Sequence, residues 1–177
     1  MTDLPHPVAL LALLALLAFP LRAEAAIPLD VQISWEYHEL PGTMEIYEIR
    51  PGTRPKLWET AAVADLGGAP VGPKIKDSKL TSTAGSIERF VLVLKNTTDK
   101  TLYFFAAPHQ VTPAHHSLGF KFKCLCINHA YTVAPGETWY RVVELRLDKN
   151  IEADSLDIKH MLIGIDSQRY KEFELPK

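Results

Sequence analysis

The 177-residue chain is poor in the residues that announce most activities. It has two cysteines, three methionines and three tryptophans. Two cysteines allow one disulfide at most, so no disulfide scaffold holds the fold. Methionine forms no metal-binding run. The 19 basic and 21 acidic residues nearly cancel, which leaves no electrostatic footprint for nucleic acid. There is no Gly-x-Ser-x-Gly, no glycine-rich phosphate loop and no His-Glu-x-x-His, so the common hydrolase, nucleotide and zinc-protease signatures are missing. No catalytic residue suggests itself, and the expectation is a protein that is not an enzyme. Internal repeats and low-complexity tracts are also lacking.

Long apolar runs are scarce too. The one at Val8–Phe19 is short for a bilayer span. Met1–Pro7 carries no Lys or Arg, but Pro20 and Arg22 follow the run, and then Ala23-Glu24-Ala25, an A-x-A pattern before Ala26. This is the layout of a secretory signal peptide over 1–25. The expectation is export, to a periplasmic location, with an uncleaved leader acting as a membrane anchor as the alternative. Residues 26–177 then suffice for one domain with a real core.

Strand signals dominate what remains. Val31–Tyr37, Met44–Ile49, Ile87–Lys95, Thr101–Ala107, Tyr131–Val133, Thr138–Leu147 and Ile158–Ile165 read as strands separated by turn residues. Lys56–Leu66 reads as two or three helical turns inside a Pro/Gly-rich insertion at about 50–85. Within it, Lys74, Lys76 and Lys79 read as a solvated loop. Asn96-Thr97-Thr98-Asp99 reads as a tight turn that also fits a glycosylation sequon, and the tail from Asp166 reads as loosely held. Several short strands at this spacing predict an all-β fold, an antiparallel β-sandwich.

Both cysteines fall at Cys124-Leu125-Cys126, late in a stretch, 118–127, that reads as another strand. Residues two apart on a strand share a face, with Cα atoms about 6.6 Å apart, the far limit for a disulfide. A metal ion between two sulfurs suits that spacing better, and thiolates select Cu(I). Two arrangements are open. A β-bulge near Lys123 would turn Leu125 and Ile127 inward and both cysteines outward. An unbroken strand would continue the Phe120–Phe122 face and bury the cysteines. His109, His115, His116 and His129 lie close in sequence and could add a third or a handover ligand. His38 and His160 lie in or beside other strands and read as packing or surface residues. Cys-x-Cys is an unusual spacing for structural zinc. A thiol–disulfide redox pair, and a metal-free partner-binding sandwich, are the rival classes.

The order of these features resembles the CtaG/Cox11 family of copper chaperones for cytochrome c oxidase assembly. The likeness runs from about Glu88 to Ile165. It rests on the Asn96–Asp99 turn, Val111-Thr112-Pro113, Gly119-Phe120-Lys121-Phe122-Lys123-Cys124-Leu125-Cys126, and Pro135-Gly136-Glu137. It implies an immunoglobulin-like domain, Cu(I) bound by Cys124 and Cys126 in the outward arrangement, and delivery to a cuproenzyme acceptor such as a copper oxidase. A copper-bridged homodimer, with membrane contact only through the acceptor or leader, would also fit. Leu125 and Ile127 replace two phenylalanines of the family motif. Of the segment that follows the motif in the family, 142–149 keeps Val143 and Asp148.

Overall fold

The computed structural model describes residues 28–126 and 128–174. The expected signal peptide and Ile127 lie outside the described residues. Twelve strands occur among them: β1 (Pro28–His38), β2 (Met44–Ile49), β3 (Thr60–Val63), β4 (Val71–Lys74), β5 (Lys79–Thr83), β6 (Ile87–Lys95), β7 (Leu102–Ala106), β8 (Gln110–Thr112), β9 (Phe120–Lys123), β10 (Ala130–Val133), β11 (Thr138–Leu147) and β12 (Ser155–Ile165). One helix, α1 (Ser167–Glu174), follows. The first sheet runs β10-β7-β12-β1-β5 with β8 also on β12, and the second runs β3-β11-β6-β2-β4 with β9 also on β11.

Alternation explains how the sheets face each other. Val31 and Ile33 of β1, Leu156, Ile158 and Leu162 of β12, and Phe104 of β7 point in from the first sheet. They meet Ile46 of β2, Phe90, Leu92 and Leu94 of β6, and Val143 and Leu145 of β11. Each fully buried side chain of this kind contributes about 1.5–3 kcal/mol by leaving water. The result is an all-β sandwich. It is not wholly antiparallel, because β1 and β12 pair in parallel over Asp30–His38 and Ser155–Ile163. Strands from the two ends of the chain need no tight turn between them, so either direction is open.

The Pro/Gly-rich 50–85 segment contributes strands to both sheets. Its strands β3 and β4 edge the second sheet and β5 edges the first. The expected helix over Lys56–Leu66 is absent. Val142 of β11 has a free edge there, and it accepts from the Trp58 amide while its own amide donates to Glu59. Thr60–Val63 then pairs with Thr138–Arg141. Since β3 and β4 lie on opposite edges, the chain between them must cross the outer face of the sheet. Leu66 and Ala69 do so over Val91, Val93, Tyr140 and Val142. Arg50 holds the crossing by donating to the carbonyls of Gly67, Leu66 and Val71. The lysines are not all in a loop either: Lys74 ends β4 beside Glu45, and Lys79 opens β5 paired with Asp30.

The tail is also more ordered than expected. Asp166 accepts from the Arg169 amide at 2.8 Å, capping α1. Tyr170 and Phe173 then pack their rings, tilted, against Tyr103 and Phe105 of β7.

Asn96 is a turn residue and not a glycan acceptor. It is 0 % exposed, and its Nδ2 donates to the carbonyls of Lys100 (2.8 Å) and Val133 (2.9 Å). Its Oδ1 accepts from the Thr98 amide and hydroxyl. One side chain thus ties the exit of β6, in one sheet, to the end of β10 in the other. Asn96→Ala leaves several buried groups without partners, at about 1–3 kcal/mol for each one not re-solvated. A chemical-denaturation curve should show a loss of at least about 2 kcal/mol.

Candidate metal centre

The two cysteines do not stay on a strand. Phe120 and Phe122 point inward and Lys121 outward, and β9 ends at Lys123. Cys124 continues the inward face at 2 % exposure, and Leu125, on the other parity, is 0 % exposed. The chain therefore turns at Cys124–Leu125, which lets consecutive residues both reach the interior. Asn128, at φ +53°, leads away towards β10 in a backbone region that Asn tolerates well. The outward arrangement of both cysteines is thus corrected: Cys124 is buried and Cys126 is half-buried. Because the turn is not extended, the sulfurs lie 3.4 Å apart.

The lead-in to this turn is pinned from the opposite face of the second sheet. Glu144 of β11 is completely buried and is reached by Arg89 of β6 (2.7 Å), Lys123 of β9 (3.2 Å) and Arg146 (2.5 Å). Burial alone would raise its pKa, but the hydrogen bonds from Arg146, Arg89 and Lys123 prevail and hold it down to about 2. Lys123 is cross-strand from Glu144, so this ion cluster fixes the residue just before Cys124.

Two histidines meet the sulfurs. His109, in the β7–β8 connection, places Nδ1 at 4.0 Å from Cys126 Sγ, and His160 of β12 places Nδ1 at 3.8 Å. One donor atom from each of His109, Cys124, Cys126 and His160 lies within 4.8 Å of the other three. The first sheet supplies His160 and the loop bearing His109, while the strand leading to the cysteines belongs to the second. The group therefore bridges the sandwich. His160 is 0 % exposed and stacks on Trp35, its partner across the β1–β12 pair, at 5.1 Å between rings.

His160 is the residue that local sequence reasoning misses, being 34 positions from Cys126. The available signal was its parity on β12: Leu156, Ile158, His160 and Leu162 all point inward. A histidine in that series is buried, and a buried imidazole needs a partner. The other sequence candidates lie outside the group. His115 and His116 form a 3-10 turn with their rings 4.1 Å apart, and they line a surface hollow with Leu118, Asp148 and Glu152. His129 is exposed and sits edge-on to Tyr131. His38 is exposed and pairs with Glu36.

Protons are unevenly shared among the four. The Cys126 thiol, donating towards Cys124, lowers the Cys124 pKa against the opposing effect of burial, and His109 and His160 help. Cys126 is correspondingly raised by Cys124 and by burial. Its sulfur is also 3.1 Å from the Ala107 carbonyl. The two thiols thus titrate as a pair, the first proton leaving more readily than the second. Burial holds His160 down to about 4, so it is a neutral imidazole ready to donate an electron pair.

This donor set fits a transition metal. Two sulfurs about 2.3 Å from an ion at tetrahedral angles lie about 3.8 Å apart, whereas a linear S–metal–S unit needs about 4.6 Å. The observed 3.4 Å is the contact distance of the two sulfurs with no ion between them, and it is nearer the first value. The group could hold an ion with the imidazoles as further donors. The profile of one protein family, described as a domain of unknown function (DUF8709), matches residues 29–165. The chain belongs to that family. The DUF8709 match takes in every residue of the Cys₂His₂ group. A comparison with curated proteins found no match.

The buried imidazole makes the metal-free fold acid-sensitive. In the unfolded chain a histidine takes its proton near its ordinary value of 6.5, whereas folded His160 does so only near 4. Between those values the unfolded state binds more protons. Its contribution is therefore complete above about pH 6.5 and declines as the pH falls towards 4, by about 3 kcal/mol in all. Urea unfolding of reduced, metal-free protein at several pH values should show this slope, and His160→Phe should flatten it. An equal slope in the variant would assign the proton to another group.

Proposed function

We propose that this protein is a copper carrier: it holds one Cu(I) through Cys124 and Cys126, with His109 and His160 completing the set, and passes it to a cuproenzyme. The observation that carries this reading is the four-donor group itself, two sulfurs and two imidazoles converging from both sheets. Soft thiolates favour Cu(I), and imidazole suits copper in either oxidation state. The likeness of 119–127 to the CtaG/Cox11 motif supports the same ion and an acceptor of the cytochrome oxidase kind. The leader-like sequence at 1–25 supports export, so loading and delivery would take place in the periplasm.

Burial suggests how the ion moves. Cys124 and His160 are enclosed while Cys126 and His109 are half-exposed, so an incoming acceptor thiol or imidazole would meet the Cys126–His109 side first. Release then proceeds by successive ligand exchange from that side, with Cys124 last. The enclosure of Cys124 favours a site closed within one chain over copper shared between two protomers. Zinc is the second reading, because a closed Cys₂His₂ set is also a zinc donor set.

Anaerobic titration of reduced protein with Cu(I) against a chromophoric chelator tests the proposal. One equivalent should bind tightly, Cys124→Ser/Cys126→Ser should abolish binding, and His160→Phe should weaken it by about 10–100-fold. His129→Ala, His115→Ala and His116→Ala should leave it unchanged. Failure of reduced wild-type protein to compete with the chelator would end the copper reading.

A further inference from the structure

The interior beside the cysteines contains a cation that the metal group does not use. Arg141 lies on β11 opposite Leu92 of β6, a core residue, so its side chain enters the space between the sheets. It is 3 % exposed. Its guanidinium lies 5.5 Å from the centre of the Tyr131 ring, and its Nε is buried without a hydrogen-bond partner. None of the ion pairs among the described residues includes it. A buried guanidinium keeps its proton and is costly without an opposite charge.

Strand register places it beside the cysteines. Lys123, the last residue of β9, lies opposite Glu144. Cys124, which continues the inward face, therefore comes beside Val143, and Arg141 is the next inward residue along β11. Burial pushes the guanidinium pKa down, against opposing effects of Tyr131 and Cys124.

Charge counting then bears on which ion fits, and this step rests on the proposed metal-carrier reading. Two thiolates and Arg141 sum to one negative charge, which a monovalent ion cancels and a divalent ion overshoots. The geometry points to Arg141 as the residue that determines metal specificity, a fixed buried cation that favours Cu(I) over divalent zinc at the Cys124–Cys126 site. It touches no metal. It acts through the field at the sulfurs, where its repulsion weighs twice as heavily on a divalent ion as on a monovalent one.

The test is the ratio of Cu(I) to Zn(II) affinity, each measured anaerobically by chelator competition on full-length reduced protein. Wild type is compared with Arg141→Met, Arg141→Gln and Arg141→Lys, with circular dichroism as the check on folding. Removing the charge should shift the ratio towards zinc by about ten- to a hundredfold in the Met and Gln variants. The Lys variant, keeping the charge, should stay within about threefold of wild type. A purely structural role would weaken both metals together and leave the ratio fixed, and that result overturns the assignment. Should Met and Gln both fail to fold, the Cu(I) to Zn(II) ratio is read in Tyr131→Glu, which sets a carboxylate beside the guanidinium and offsets its charge. A shift towards zinc is then expected, and an unchanged ratio overturns the assignment. Absence of Cu(I) binding by wild type would instead remove the carrier reading itself.

Discussion

Ionisable groups enclosed between two sheets must answer each other, because water is not there to do so. Desolvation of a thiolate or a guanidinium costs several kcal/mol unless an opposite charge or a hydrogen bond compensates. Here Cys124, Cys126, His109, His160, Tyr131 and Arg141 occupy one end of the interior, among the aromatic rings of Trp35, Phe122 and Phe104. Four polar atoms in the described structure are buried without partners: Trp35 Nε1, Tyr131 Oη, Arg141 Nε and His160 Nε2. All four belong to this end. An apolar core would have filled the space more cheaply, so the polar set has a use beyond packing.

The sandwich supplies what such a site needs. Donors from different sheets are held in place by elements that cannot slide. β12 is fixed by nine residues of parallel pairing with β1, and the entry to Cys124 is fixed by Lys123 at Glu144. A metal bound to all four donors would cross-link the two sheets, so loading and stability are coupled by mass action. The half-exposed pair, Cys126 and His109, is the side from which that cross-link can be undone.

Much of this is legible in the sequence, and the misses have common causes. Period-two alternation locates Met44–Ile49, Ile87–Lys95 and Thr138–Leu147 to their ends, because each has a long buried face. Lys56–Leu66 and the remainder of 50–85 mislead because their strands are edges. Their pairing is dictated by vacant backbone groups on β11, β2 and β1, not by a pattern of their own. In the site, Cys124, Cys126 and His109 are close in the chain and stand out by residue type. The orientation of the cysteines does not, since it depends on where β9 stops. His160 and Arg141 are joined to the site only by strand order, which no local pattern encodes.

β11 carries two charged residues that the sandwich buries, and their treatment differs in a telling way. Glu144 and Arg141 are three positions apart and so face opposite sides of the strand. On the outer face, Glu144 has three cations around it and hydrogen bonds from all of them. On the inner face, Arg141 has an aromatic ring and no carboxylate. Selection for stability alone would treat both charges as it treats the first. A guanidinium placed beside the cysteines without a carboxylate is understandable if, as proposed, both thiols give up their protons to an arriving ion. On that proposal the unpaired cation is the complement of a filled site: one face of β11 locks the strand, and the other would set the charge of the ion held.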